Sequence, residues 1–77
     1  MTNPHQKIVK IIMESNEFTQ EALAEKTGID QPTISWILTG KRRLTIQALV
    51  RLIPLMGDDE LQNFFREVQN EFSTAPA

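Results

Sequence analysis

The sequence predicts an all-α protein, a compact bundle of about five short helices. Three observations carry that expectation. Apolar residues recur at helical spacing in five separate stretches, cap-forming residues precede those stretches, and no stretch alternates well enough to read as a strand. With 77 residues the chain has the size of one small domain, expected over residues 1–72 with a flexible tail at 73–77.

The first helix opens on Asn3 as a cap, with Pro4 at the first helical position and Gln6 where a capping box places it. Ile8, Ile11 and Ile12, with Val9 and Met13 beside them, keep a helical period to about Ser15. Thr19 caps the second helix, and Glu21 in its first turn complements the helix dipole. Phe18 and Leu23 form a candidate hydrophobic staple across that cap. Gly28 ends the helix as a residue able to turn left-handed. Asp30 then stands where a third helix needs a cap, with Pro32 tolerated in its first turn. A short helix, a tight glycine turn and a second short helix form the outline of a helix-turn-helix.

Gly40 stops the third helix, and Lys41-Arg42-Arg43 form a basic loop. Thr45 caps a fourth helix whose apolar set is Ile46, Leu49, Val50 and Ile53, and Pro54 ends or kinks it. The fifth helix, expected over 59–72 behind a cap at Asp58 or Asp59, carries Leu61, Phe64, Phe65, Val68 and Phe72.

Composition excludes several function classes. Zero cysteines rule out a disulfide framework and a thiolate zinc site. His5 is the one histidine, so neither a catalytic triad nor a histidine-based metal site can be assembled. The acids from Asp58 to Glu60 read as complements to a helix start rather than metal ligands. The expectation is a protein that is not an enzyme and holds no cofactor or metal. No apolar run approaches the roughly 18 residues of a membrane span. The start Met1-Thr2-Asn3-Pro4 lacks the basic region of a secretory leader, so a cytoplasmic location is expected.

A net charge of −2 argues at first against a polyanionic partner, yet it is an average over unlike segments. Residues 1–30 and 54–77 carry −2 and −4. Residues 31–53 contain Lys41, Arg42, Arg43 and Arg51 without one acid, a local charge of +4. Local potential, not net charge, attracts a polyanion. Projection of the third helix places Ile34, Ile37 and Leu38 on the core side, with Pro32, Ser35, Trp36 and Thr39 opposite. Trp36 is thus the largest apolar side chain in the protein set where water should be. Two accounts fit: an indole lying against a neighbouring helix or partner chain, or a face that enters the major groove. In the second, Trp36 meets sugars or thymine methyls, Ser35 and Thr39 allow close approach, and Gln31 or Thr33 reads base edges.

The run from Gln20 to Leu38, continued by Thr39-Gly40-Lys41-Arg42 and Leu44, resembles the Cro/phage-repressor (XRE-like) helix-turn-helix family. The likeness covers residues 5–57 and is most specific from Thr19 to Arg43, with Ala24 at a close helix crossing, Gly28 in the turn, and Ile34 and Ile37 as core anchors. It implies a lambda-repressor-like bundle that reads a (pseudo)palindromic duplex-DNA operator through residues 31–39 and acts as a transcriptional repressor. Gln31, Pro32, Thr33, Ser35 and Trp36 would face the bases. Thr19, Gln20, Thr39, Lys41, Arg42 and Arg43 would hold phosphates, with Gln20 also bracing Gln31. Trp36 departs from the long polar or basic residue many relatives carry there, and Pro54 departs from the family's fourth helix.

One such domain contacts few bases, so a homodimer reading two half-sites is expected. The phenylalanine stripe allows two readings. Phe64, Phe65, Val68 and Phe72 either complete the core or form part of a dimer seam. The rival function is a protein-interaction module, such as an antitoxin-like partner binder, working through this C-terminal helix.

Overall fold

The structure, a computed structural model, describes residues 3–73, with side chains to residue 71. Five α-helices follow in order: α1 (Pro4–Asn16), α2 (Gln20–Thr27), α3 (Gln31–Leu38), α4 (Ile46–Leu52) and α5 (Asp58–Ser73). A 3₁₀ turn at Ile53–Leu55 joins α4 to α5, because Pro54 cannot continue the α4 ladder. No strand occurs among the described residues. Of the tail expected at 73–77, Ser73 instead ends α5, and residues 74–77 lie outside the described residues.

The core draws on every helix. Ile8, Val9 and Ile12 of α1 meet Leu23 of α2, Ile34 and Ile37 of α3, Ala48 and Leu52 of α4, and Phe64 of α5. α1 packs against α3 and α5, and α2 packs against α3. The Asn3–Gln6 capping box forms as expected, with reciprocal hydrogen bonds of 2.8 and 2.9 Å. The Gln6 amide also donates to the Leu38 carbonyl at 2.9 Å, tying the start of α1 to the end of α3. Thr19 and Thr45 cap α2 and α4, each accepting an N–H three residues on at 3.1 Å.

Three expectations are corrected. Asp30 occupies the N-cap position of α3, but its side chain accepts no hydrogen bond there. Asp58 and Asp59 lie inside the first turn of α5 instead of capping it, and Glu60 reaches back to the Gly57 N–H at 2.8 Å. The largest correction concerns α4. Ala48 and Leu52 face the core and Leu49 is half-buried, whereas Ile46, Val50 and Ile53 are exposed. A seven-residue helix makes fewer than two turns after the first cap, so its rotation is set by where Thr45 and the 3₁₀ turn anchor it rather than by its apolar count.

His5 stands one turn before Ile8 on the buried side of α1. Its ring meets Phe64 edge-on, with centroids 5.4 Å apart and planes at 86°. Both ring nitrogens face donors: the Leu44 N–H at Nδ1 (3.0 Å) and the Arg43 Nε–H at Nε2 (3.2 Å). A neutral imidazole has one lone pair to offer, so these donors compete between tautomers. Burial, and secondarily the Arg43 charge, lower the His5 pKa below its ordinary value, with Glu71 opposing. α5 is fastened to the rest by ion pairs, Lys7–Glu67 at 2.7 Å and Arg43–Glu71 at 2.8 Å. Both are largely solvated and contribute little each, on the order of 0–1 kcal/mol.

Candidate nucleic-acid interface

The rotation of α3 is fixed by Ile34 and Ile37, each only 1% exposed. That insertion turns the opposite side outward. Gln31, Pro32, Trp36 and Thr39 are exposed, while Thr33 and Ser35 are half-buried at its flanks. Trp36 keeps 39% of its surface exposed, an indole set on the solvent face of the helix.

The chain leaves α3 through a Schellman turn. The Lys41 N–H donates to the Trp36 carbonyl at 2.8 Å and the Gly40 N–H to the Ile37 carbonyl at 3.1 Å. Gly40 takes the left-handed conformation this turn requires, with φ +82°, and a Cβ there would lie 3.2 Å from the Gln6 amide nitrogen. The Arg42 N–H and the Thr39 hydroxyl also donate to the Trp36 carbonyl, each at 3.2 Å. The basic loop is thereby folded back along α3. Its consequence is a stack: the Arg42 guanidinium carbon lies 4.2 Å from the centre of the Trp36 ring.

The turn between α2 and α3 is held from two sides. The buried Thr27 hydroxyl donates to the Leu23 carbonyl at 2.7 Å and accepts the Ile29 N–H at 3.2 Å. The Arg51 guanidinium of α4 donates to the Thr27 carbonyl at 3.1 Å, supplying a cation where the α2 dipole is negative. Gly28, with φ +76°, completes the turn.

These contacts divide the acid-free segment. Lys41 and Arg42 are exposed at the end of α3, beside Trp36 and Thr39. Arg43 turns toward α5, where it pairs with Glu71, and Arg51 serves the α2–α3 turn. Thr19 is exposed at the start of α2, and Gln20 is half-buried beside it. No hydrogen bond joins Gln20 to Gln31.

On α5, Phe64 is buried within the chain, Phe65 is exposed and Val68 is half-buried. The Phe72 side chain lies outside the described residues. Sequence reasoning missed the Arg42–Trp36 stack and the structural use of Arg51. A sequence signal for the stack existed: an outward tryptophan followed, across a helix-stopping glycine, by a run of cations.

Among the described residues, no group of three or more His, Asp or Glu side chains is arranged to hold a metal ion, and no helix is long and apolar enough to cross a membrane. The family model described as helix-turn-helix matches residues 9–53, which span α2 and α3 together with most of α1 and all of α4. No curated protein matches the chain, and no solved structure does. The matched segment covers more than half of the sequence and is centred on the Gly28 turn. The chain belongs to the Cro/phage-repressor type of helix-turn-helix family, whose members are DNA-binding transcription regulators.

Proposed function

We propose that this protein is a homodimeric repressor that places α3 in the major groove of each half of a (pseudo)palindromic operator. The observation that carries the proposal is the outward face of α3, where Gln31, Pro32, Trp36 and Thr39 are exposed opposite the deeply buried Ile34 and Ile37. An α-helix fits the major groove, and the amide of Gln31, at the leading end, matches the N6/N7 edge of adenine. Pro32, Thr33, Ser35 and Trp36 continue along the groove with small or apolar surface suited to thymine methyls. Thr19, Gln20, Thr39 and Lys41 flank that face and hold the phosphates that fix register. Arg43 contributes less, being engaged with Glu71.

The dimer follows from the reading itself, because a single α3 spans too few bases to specify an operator. An apolar surface beside the α4–α5 groove suits a second copy. Ile46 is 81% exposed, Val50 57% and Phe65 46%, with Leu49 and Val68 in the groove floor.

Selection of bound duplexes from a random DNA pool, followed by gel shifts at about 100 mM salt, tests the reading. One enriched, inverted-repeat sequence is expected. Gln31→Ala should abolish discrimination at one base pair per half-site. Lys41→Ala should weaken all duplexes about equally and reduce the salt slope by about one per replaced charge. Absence of any preferred duplex, together with a protein captured through α5, would sink the proposal.

A further inference from the structure

We infer that Arg42 is a base reader and not a phosphate clamp: stacked on Trp36, it selects a guanine in each half-site. The inference rests on the DNA-binding reading and deepens it. Its basis is where the loop puts the guanidinium. The Arg42 N–H is fixed to the Trp36 carbonyl at 3.2 Å, and the guanidinium lies 4.2 Å from the centre of the same residue's indole. Backbone and side chain therefore return to one residue, and the charge is held over the outward side of α3.

The indole fixes where the guanidinium sits, with its central carbon over the Trp36 ring. The guanidinium N–H groups engage no hydrogen-bond partner among the described residues, and the side chain is exposed. A planar fork of donors matches two acceptors side by side, as on the O6/N7 edge of guanine. The rest of the face lacks that chemistry. Gln31 suits adenine, Thr33 and Ser35 have short hydroxyls, Pro32 has no donor, and the indole offers a single N–H. Without Arg42 the face has no good means of choosing G·C over A·T. Phosphates, by contrast, have Thr19, Thr39 and Lys41. Trp36 becomes a positioning residue that holds the fork and lies against the neighbouring base.

The test is the random-pool selection repeated with Arg42→Lys, Arg42→Ala and Trp36→Ala, with circular dichroism to verify folding. Arg42→Lys keeps the charge but loses the planar fork. It should lower the preference for guanine at one position per half-site by about tenfold or more, with the adenine position served by Gln31 unchanged. Trp36→Ala should weaken that same guanine preference, and combining it with Arg42→Lys should add little at that position. If Arg42→Lys leaves every preference intact and Arg42→Ala weakens all duplexes equally, Arg42 is a phosphate contact and the inference is overturned. If the wild-type protein enriches no sequence at all, the DNA reading fails, and this assignment with it.

Discussion

The Nδ1 atom of His5 accepts the Leu44 backbone N–H at 3.0 Å, so a side chain at the start of α1 anchors the chain where the basic loop ends. Protonation removes that acceptor and sets a second cation beside Arg43. The His5 pKa is lowered in the folded protein, from an ordinary value of 6.5. The unfolded chain therefore binds the proton more tightly, and stability rises with pH across this window. Full stability should be present above pH 6.5 and fall as pH drops toward the folded-state value. Because His5 is the one histidine, the urea midpoint between pH 7.5 and about 5 reports it directly. His5→Leu should lose about 1–2 kcal/mol at pH 7, from the unpaired Leu44 N–H, and flatten the slope. An unchanged slope in that variant would remove His5 as the cause.

The Arg51–Thr27 hydrogen bond predicts a separation of stability from recognition. Arg51→Met retains much of the stem but removes the donor at the α2 C-terminus. It should destabilise the fold by about 1–2 kcal/mol. Thermal unfolding would show the loss, whereas the enriched DNA sequence should stay the same. Gly28→Ala should be at least as damaging, since φ is +76° and the new Cβ would meet the Arg51 guanidinium nitrogen at 2.8 Å. A Tm equal to wild type in either variant would contradict the clamp.

Legibility followed the length over which a pattern acts. α1, α2, α3 and α5 are framed by caps, glycines or sustained apolar periods, and their places match the sequence reading to within a residue or two. α4 is only seven residues long, and both rotations leave apolar side chains outside. Its apolar count could not decide whether Ala48 and Leu52 or Ile46 and Val50 face inward. His5 was legible in principle, because positions 5, 8, 9 and 12 share one helical face. The outward placement of Trp36 followed from projecting α3. The stack did not, because it depends on how a loop beyond the helix folds back.

Glu17 carries the one positive φ among the described non-glycine residues, +56°, at the left-handed end of α1. The Phe18 N–H closes the turn on the Met13 carbonyl at 2.8 Å, so the conformation is enforced by the cap. A left-handed L-residue costs about 1–2 kcal/mol, while glycine adds roughly half that in unfolded-chain entropy. Glu17→Gly should therefore stabilise the protein by about 0.5 kcal/mol. A higher urea midpoint with unchanged DNA affinity is expected; a lower midpoint would show that the Glu17 side chain contributes more than its strain removes.

Phe64 and Phe65 are adjacent, with ring centroids 5.8 Å apart, yet they predict opposite phenotypes. Phe64 is 5% exposed and packs edge-on against His5, so Phe64→Ala should cost about 3–5 kcal/mol, much of the stability of so small a domain. Phe65 is 46% exposed beside Ile46 and the α4–α5 groove. Phe65→Glu should leave the urea midpoint of the monomer within about 0.5 kcal/mol of wild type. If a second copy covers this surface, the same change sets a charge in an apolar seam and shifts the sedimentation equilibrium toward monomer. Operator affinity should then fall while the base preferences of α3 persist. A Phe65→Glu protein that still associates and binds its operator undiminished would place the dimer contact elsewhere on the molecule.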